Sequence, residues 1–372
     1  MKKSRLLLAL AAVLATSPTW ASQYRVQNWV GAWYENYTGV TSALLGSNPD
    51  GSPKTFGNWE TLGSVYGNNT GNTAASAPPA LSYTGTWTGD AARGLNDVDY
   101  SVYASTTWGS NHAAISLDNY KQVDTSSTSN YVLSDAAGNP ISGAPVIPVN
   151  TQTSSSASGY AQSQWEELYM IGGSSISALG HYNATFHVDG SIGPSTNANG
   201  TGSASMNWSL SDFNGQQLVS IQASYDVASN TWWKDTYSAG AWNSTSGSGT
   251  LTINEDLHEN GGTFTYGTAL YLNALLSTSV SGNGVNSFEN TVKMTELELP
   301  GGSSVYAESG TPLSNYHVAF NGNGGGVLCN DLNCAVNGTG GGTVVPGVPE
   351  PETWALMLAG LALVWGARRR ST

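Results

Sequence analysis

Carboxylates, histidines and tryptophans are the side chains here that could do chemistry, and their spacing limits what that chemistry can be. A glycosidase needs two carboxyl groups across a cleft, about 5 to 9 Å apart. Glu166 and Glu167 are adjacent, so on a strand they point to opposite faces. Glu255, Asp256 and Glu259 flank His258 in what reads as a polar turn, and no second motif ties either cluster to a partner. His181 and His187 share parity in one strand, but six residues at about 3.3 Å each put them roughly 20 Å apart, too far for one metal. No His-Glu-x-x-His signature, Gly-x-Ser-x-Gly elbow or phosphate loop occurs. Asp97 and Asp99, with Asp90 nearby, are the candidates for a cation, and calcium is the ion that suits them. Two aspartates supply few of the oxygens that calcium takes, so no cofactor is required by the sequence.

Aromatic residues offer a different chemistry, because Trp and Tyr rings stack on sugar faces while their polar tips hydrogen-bond. Of the 13 Trp, Trp232, Trp233 and Trp242, with Tyr237, stand in polar, turn-like surroundings and are the candidates for carbohydrate binding. The competing reading is that these rings pack the core. Thr84, Thr86 and Thr88 make a single threonine row, which the neighbouring segment Val98 to Ala104 does not continue, so it is not a flat ice-like array.

The elements that must hold these residues are strands. Gly, Ser, Thr and Asn dominate and only 10% of residues are charged, which disfavours long helices and predicts an all-β body. The exception is the stretch containing Val26, Trp29, Val30, Trp33 and Tyr37, whose 3, 4, 7 and 11 spacing fits one face of a helix. It reads as a core stripe, with an aromatic platform as the alternative. Residues 46–80 read as a turn-rich surface excursion with one strand near Phe56 to Tyr66. Period-2 alternation then turns Leu81, Tyr83 and Trp87 inward. Residues 121–160, rich in Ser, Thr and Pro, are either a long loop or a hinge. Asp189-Gly190, Asn199-Gly200 and Asn214-Gly215 are hairpin signals. A parity shift between Met294 and Leu297 predicts a bulge. Many short to medium strands in this order predict a β-sandwich of jelly-roll type over residues 22–320, with a β-solenoid as the alternative.

Both ends read as targeting segments. Lys2, Lys3 and Arg5 precede an apolar run, and Thr19-Trp20-Ala21 offers a signal-peptidase site, so residues 1–21 read as a secretory signal peptide. Without the two ends the body keeps 6 Lys plus Arg against 23 Asp plus Glu, a formal charge of −17. Such a body repels nucleic acid, which is excluded as a partner. Cys329 and Cys334 are the two cysteines, and in an exported chain an even pair reads as a disulfide. Residues 321–347 are a Gly-rich spacer. Beyond them Pro349 and Pro351 keep the chain extended. An uncharged run from Trp354 to Ala367 then ends at Arg368, Arg369 and Arg370, a helix of about 21 Å against a hydrocarbon core of about 30 Å.

Val348, Pro349, Glu350 and Pro351, followed by Trp354 and the apolar run and closed by the three arginines, resemble the PEP-CTERM protein-sorting signal of Gram-negative bacteria. The same segment is also catalogued as an ice-binding-protein C-terminal region. The resemblance covers residues 348–372 and implies an exosortase as partner, transient anchoring in the inner membrane by a short transmembrane helix, and release to the cell surface or extracellular space. With it, the expected function is a non-enzymatic protein of a biofilm matrix that contacts exopolysaccharide. The alternative is a secreted polysaccharide-acting hydrolase or lyase, which requires clustered carboxylates in a Trp-lined cleft.

Overall fold

Alternation of core-facing and solvent-facing side chains, the signature of strands, runs through nearly the whole body. The computed structural model describes residues 25–71, 78–107, 109–172, 178–195, 201–212, 214–266, 269–300, 303–307, 317–320 and 326–329. The signal peptide 1–21, the sorting segment 348–372, Asn199-Gly200 and Cys334 lie outside the described residues.

In chain order the strands are β1 (Arg25–Ser47), β2 (Pro53–Gly71), β3 (Leu81–Trp87), β4 (Val98–Thr107), β5 (Ser110–Asp118), β6 (Asp124–Val132), β7 (Val146–Gly172), β8 (Leu179–Gly193) and β9 (Gly202–Ser211). They continue as β10 (Gln217–Asp226), β11 (Thr231–Ser238), β12 (Ala241–Ser248), β13 (Leu251–Thr265), β14 (Ala269–Gly282), β15 (Gly284–Leu299), β16 (Ser304–Ala307), β17 (His317–Phe320) and β18 (Gly326–Cys329). One sheet of ten strands runs β12-β11-β10-β9-β14-β7-β1-β2, with β6 and β16 also paired to β7. A second sheet of eight runs β13-β8-β15-β5-β4-β3, with β18 on β15 and β17 on β18. The inner faces meet in one apolar core containing Trp165, Trp208, Phe186 and Phe288. Two antiparallel sheets packed on each other are not a solenoid, which removes that alternative.

Several local expectations change. The N-terminal stretch is not a helix but the 23-residue β1. Its even positions Val26, Val30, Ala32 and Tyr34 are buried, whereas Trp29, Trp33 and Tyr37 lie on the opposite face and are half-exposed. The 46–80 excursion is mostly β2, an edge strand paired along β1. Tyr83 is 37% exposed rather than inward, its ring laid beside Gly67 of β2. Asp189-Gly190 is not a turn: it sits inside β8, where Gly190 leaves room for the buried ring of Phe288. The Glu255 to Glu259 segment is likewise part of β13 rather than a turn. Residues 124–132 and 146–172 are the paired strands β6 and β7. The bulge between Met294 and Leu297 is present as a register shift between Met294 and Glu296. Gly215, at φ +74°, makes the β9–β10 turn that Asn214-Gly215 predicts.

Buried polar side chains also cross between the sheets. Asn111 of β5 donates to the carbonyls of Ser163 and Ala274 and accepts from the Trp208 indole. Asn286 of β15 donates to the carbonyls of Ser205 and Ser279, and Thr106 of β4 donates to the carbonyl of Gln27. The donors of these three side chains are all satisfied within the protein, as a core position demands, while the Asn286 Oδ1 is buried without a partner.

Candidate functional site

The open, outward face of the ten-stranded sheet gathers most of the solvent-facing aromatic residues. On the β11–β12 hairpin, alternation separates Trp232 from Trp233. Trp232 turns inward, half-buried against the core, with its ring over Gly247 and its Nε1 buried without a hydrogen-bond partner. Trp233 turns outward and is 44% exposed; Trp242 is 53% exposed. Tyr237 pairs with Trp242 across the hairpin, ring centroids 5.1 Å apart and planes tilted by 47°. The outward platform is therefore Trp233, Tyr237 and Trp242, held on strands rather than on a turn.

Strand register extends this face across the sheet. One rung, starting on β1 and ending on β11, reads Trp29, Gln162, Ser277, Asn207, Gln222 and Asp235. The next reads Tyr160, Ser279, Ser205, Ser224 and Trp233. A third reads Gln27, Gln164, Leu275, Ser209, Ser220 and Tyr237, of which Gln27 and Ser220 are buried. Side chains within the rungs bond to each other: Gln162 donates to Ser277 at 3.0 Å, and the hydroxyls of Ser205 and Ser279 are 2.8 Å apart. Aromatic residues return at the β1–β2 side. Trp33 and Tyr160 meet edge to face at 6.3 Å, and Tyr37 and Trp59 lie 5.1 Å apart. Tyr66 and Trp59 are 64% and 58% exposed. Partial burial, with the nearby Tyr66 hydroxyl, raises the Tyr160 pKa. Sequence periodicity had merged Trp29, Trp33 and Tyr37 with the inward residues of β1; the signal that separates them is their odd numbering.

The sequence-predicted carboxylates do not converge. Glu166 lies on the outward face of the ten-stranded sheet, bound to Arg25 at 3.1 Å. Burial, and then Glu166 beside it, pushes the Tyr271 hydroxyl up to about 12. Glu167 is buried, its Oε1 accepting the Leu168 N–H. Glu255 pairs with Lys234 at 2.7 Å, and Asp256 with His187 at 2.8 Å. His258 faces the Thr185 hydroxyl, while burial raises the Glu259 pKa. His181 and His187 are both on β8, six residues apart.

Asp97 and Asp99 are engaged by the protein itself. Asp97 accepts the Gly89 N–H and lines an open depression of about 550 Å³ with Thr88, Leu95 and Asn119. Asp99 accepts from Thr86 and Asn119, and stands directly across from Asp118, a neighbour the sequence did not reveal. Asp90 caps a single 3-10 turn (Ala91–Arg93) and pairs with Arg93. Among the described residues no group of three or more His, Cys, Asp or Glu is arranged to hold a metal ion. No described helix is long and apolar enough to cross a membrane.

No family model matches the chain, and no curated protein matches it. Solved structures that align with it include a fructofuranosidase from Schwanniomyces occidentalis complexed with fructose, at 8% identity, 65% of each chain and a TM-score of 0.16. The chain thus spans just under two thirds of that enzyme. The VP2 subviral particle of infectious bursal disease virus aligns at 10% identity over 95% of this chain and 91% of its own, with a TM-score of 0.11. Likenesses this slight carry no argument about fold or activity.

Proposed function

We propose that the chain is an exported, non-enzymatic sandwich of jelly-roll type that contacts exopolysaccharide in the matrix or at the cell surface. Its signal peptide is removed by signal peptidase, and its C-terminal segment is handed to an exosortase. The destination rests on the resemblance of residues 348–372 to a sorting signal. The contact rests on one observation: Trp233 and Trp242 lie exposed on one open strand face, with half-buried Tyr237 packed beside Trp242. Exposed rings of this kind stack on the C–H faces of sugars and lose water-exposed apolar area in doing so. The hydrolase or lyase alternative needs paired carboxylates in one cleft, and Glu166, buried Glu167 and Lys234-bound Glu255 supply no such pair.

Electrophoresis of the secreted protein through native gels containing soluble neutral polysaccharide tests the contact. Retardation that is lost in the Trp233→Ala/Trp242→Ala variant is the expected result, and a wild type that migrates equally in all gels would overturn it. For the sorting step, intact-mass measurement of the mature protein should show that Arg368, Arg369 and Arg370 are gone; their retention would refute exosortase processing.

A further inference from the structure

We infer that the whole outward face of the ten-stranded sheet is one track for a neutral glycan chain, with a second stacking subsite at Trp29, Trp33, Tyr160 and Tyr66. This rests on the reading of the β11–β12 hairpin as a glycan contact and extends it to strands on the far side of the sheet.

Three observations carry it. The first is position. Tyr160 and Trp233 occupy the same rung, four strands apart, which at about 4.8 Å per strand is roughly 19 Å. A single extended oligosaccharide can reach both. The second is the chemistry between them. The connecting positions are Ser279, Ser205 and Ser224 on one rung and Gln162, Ser277 and Asn207 on the next, all uncharged donors and acceptors. Protein interface cores are depleted in serine and rich in apolar side chains, so this centre does not suit a protein partner. It has no cation for a phosphate or a polyanion either. A chain covered in hydroxyls but carrying apolar C–H faces fits both the neutral centre and the aromatic ends.

The third observation is that rings stand at both ends of the Tyr160–Trp233 rung, with Trp29 at one end of the rung beside it and Tyr237 at the opposite end of the third, rather than throughout. Neighbouring strands rotate by roughly 20–25°, so the face turns by about 80–100° over the four steps between the two aromatic groups. A rigid crystalline surface cannot follow that turn and would touch one group at a time. A single soluble chain can wind with it. The ligand class is therefore a neutral, soluble, unbranched or sparsely branched polysaccharide.

The test uses the secreted protein with hydroxyethylcellulose and dextran as long soluble probes, cellotetraose and isomaltotetraose as short ones, and microcrystalline cellulose as a flat one. Variants are Trp33→Ala/Tyr160→Ala at the new subsite, Trp233→Ala/Trp242→Ala at the hairpin, and Ser279→Arg, whose exposed position places a long charged side chain across the track. Linking two subsites through one chain raises apparent affinity by an effective-concentration effect, so each variant should lose roughly tenfold or more on the retained long probe. Short probes should weaken only at the altered subsite, and binding to the flat probe should be no tighter than to the soluble ones. Thermal melting confirms that each variant is folded, and Ser279→Arg stands in if the Trp33 variant is not. If only the hairpin variant loses affinity, the single track is wrong while the hairpin contact stands. If the wild type retains none of the probes, both fall. Tighter binding to microcrystalline cellulose also overturns the track.

Discussion

Replacing Asn111 with alanine removes a side chain that ties the two sheets together, and the structure sets the size of the effect. Asn111 is fully buried on β5. Its Nδ2 donates to Ser163 at 2.8 Å and Ala274 at 3.3 Å, and its Oδ1 accepts from Trp208 Nε1 at 3.3 Å. The two carbonyls belong to strands paired on both sides, so each loses about 1 kcal/mol of net hydrogen bonding. The indole N–H is left buried with nothing to bond, which costs about 1–3 kcal/mol. A small cavity adds to this. The expected loss is therefore about 3–5 kcal/mol, read by urea unfolding with far-UV circular dichroism. A double-mutant cycle with Trp208→Phe, which deletes the orphaned donor, should show a coupling of about 1–2 kcal/mol. A loss below about 1 kcal/mol, or a cycle that is additive within about 0.5 kcal/mol, would refute the inter-sheet bond and with it this packing of β5 on β7 and β14.

Three further outcomes follow from single sites. Gly190→Ala would drive a methyl into the Phe288 ring, so it should destabilise by about 1–3 kcal/mol through overpacking; an unchanged melting temperature would mean that Gly190 is not under that ring. Burial, then Tyr120 and Asp97, holds Tyr34 up at about 12, and Tyr271 is held equally high. The folded state thus keeps protons that an unfolded chain gives up near pH 10, so the stability these groups contribute is complete below about pH 10 and lost between there and pH 12. Melting temperatures and tyrosinate absorbance measured from pH 9 to 12 check this, and a tyrosine titration complete by pH 10.5 would contradict it. Because Asp97 and Asp99 are already hydrogen-bonded to Gly89, Thr86 and Asn119, calcium and EDTA should give the same melting temperature; a rise of several degrees with calcium would reinstate them as ligands.

Strand content and one bulge were legible in the sequence, whereas the use of both faces of a strand was not. In β1 the inward set Val26 and Val30 and the outward set Trp29, Trp33 and Tyr37 are both apolar. Superimposed, two period-2 patterns shifted in parity give spacings of 3 and 4 that imitate a helix. Trp232 and Trp233 show the same limit from the other side: adjacency suggested one platform, while alternation sends them to opposite faces. Asp189-Gly190 misled for a different reason. Its glycine answers to the space taken by Phe288, almost a hundred residues later, and no local pattern encodes that contact. The polar crossings made by Thr106, Asn111 and Asn286 are equally silent in sequence, since Asn and Thr also suit turns and solvent-facing strands.

On the proposed glycan track, affinity and selectivity would come from different side chains. Its central side chains already bond to one another, Ser205 to Ser279 and Gln162 to Ser277, so a ligand hydroxyl gains there only by exchanging one hydrogen bond for another. Net gain must come from the rings at the two ends, where stacking removes apolar surface from water. The polar ladder then discriminates by geometry, because a sugar that leaves a displaced serine or glutamine unpaired forfeits more than it gains. Charge reinforces the choice from a distance. With 6 Lys and Arg against 23 Asp and Glu in residues 22–347, and Arg25, Arg93 and Lys234 each paired with a carboxylate, an acidic polymer would meet net repulsion on the proposed track. A neutral chain feels no such barrier.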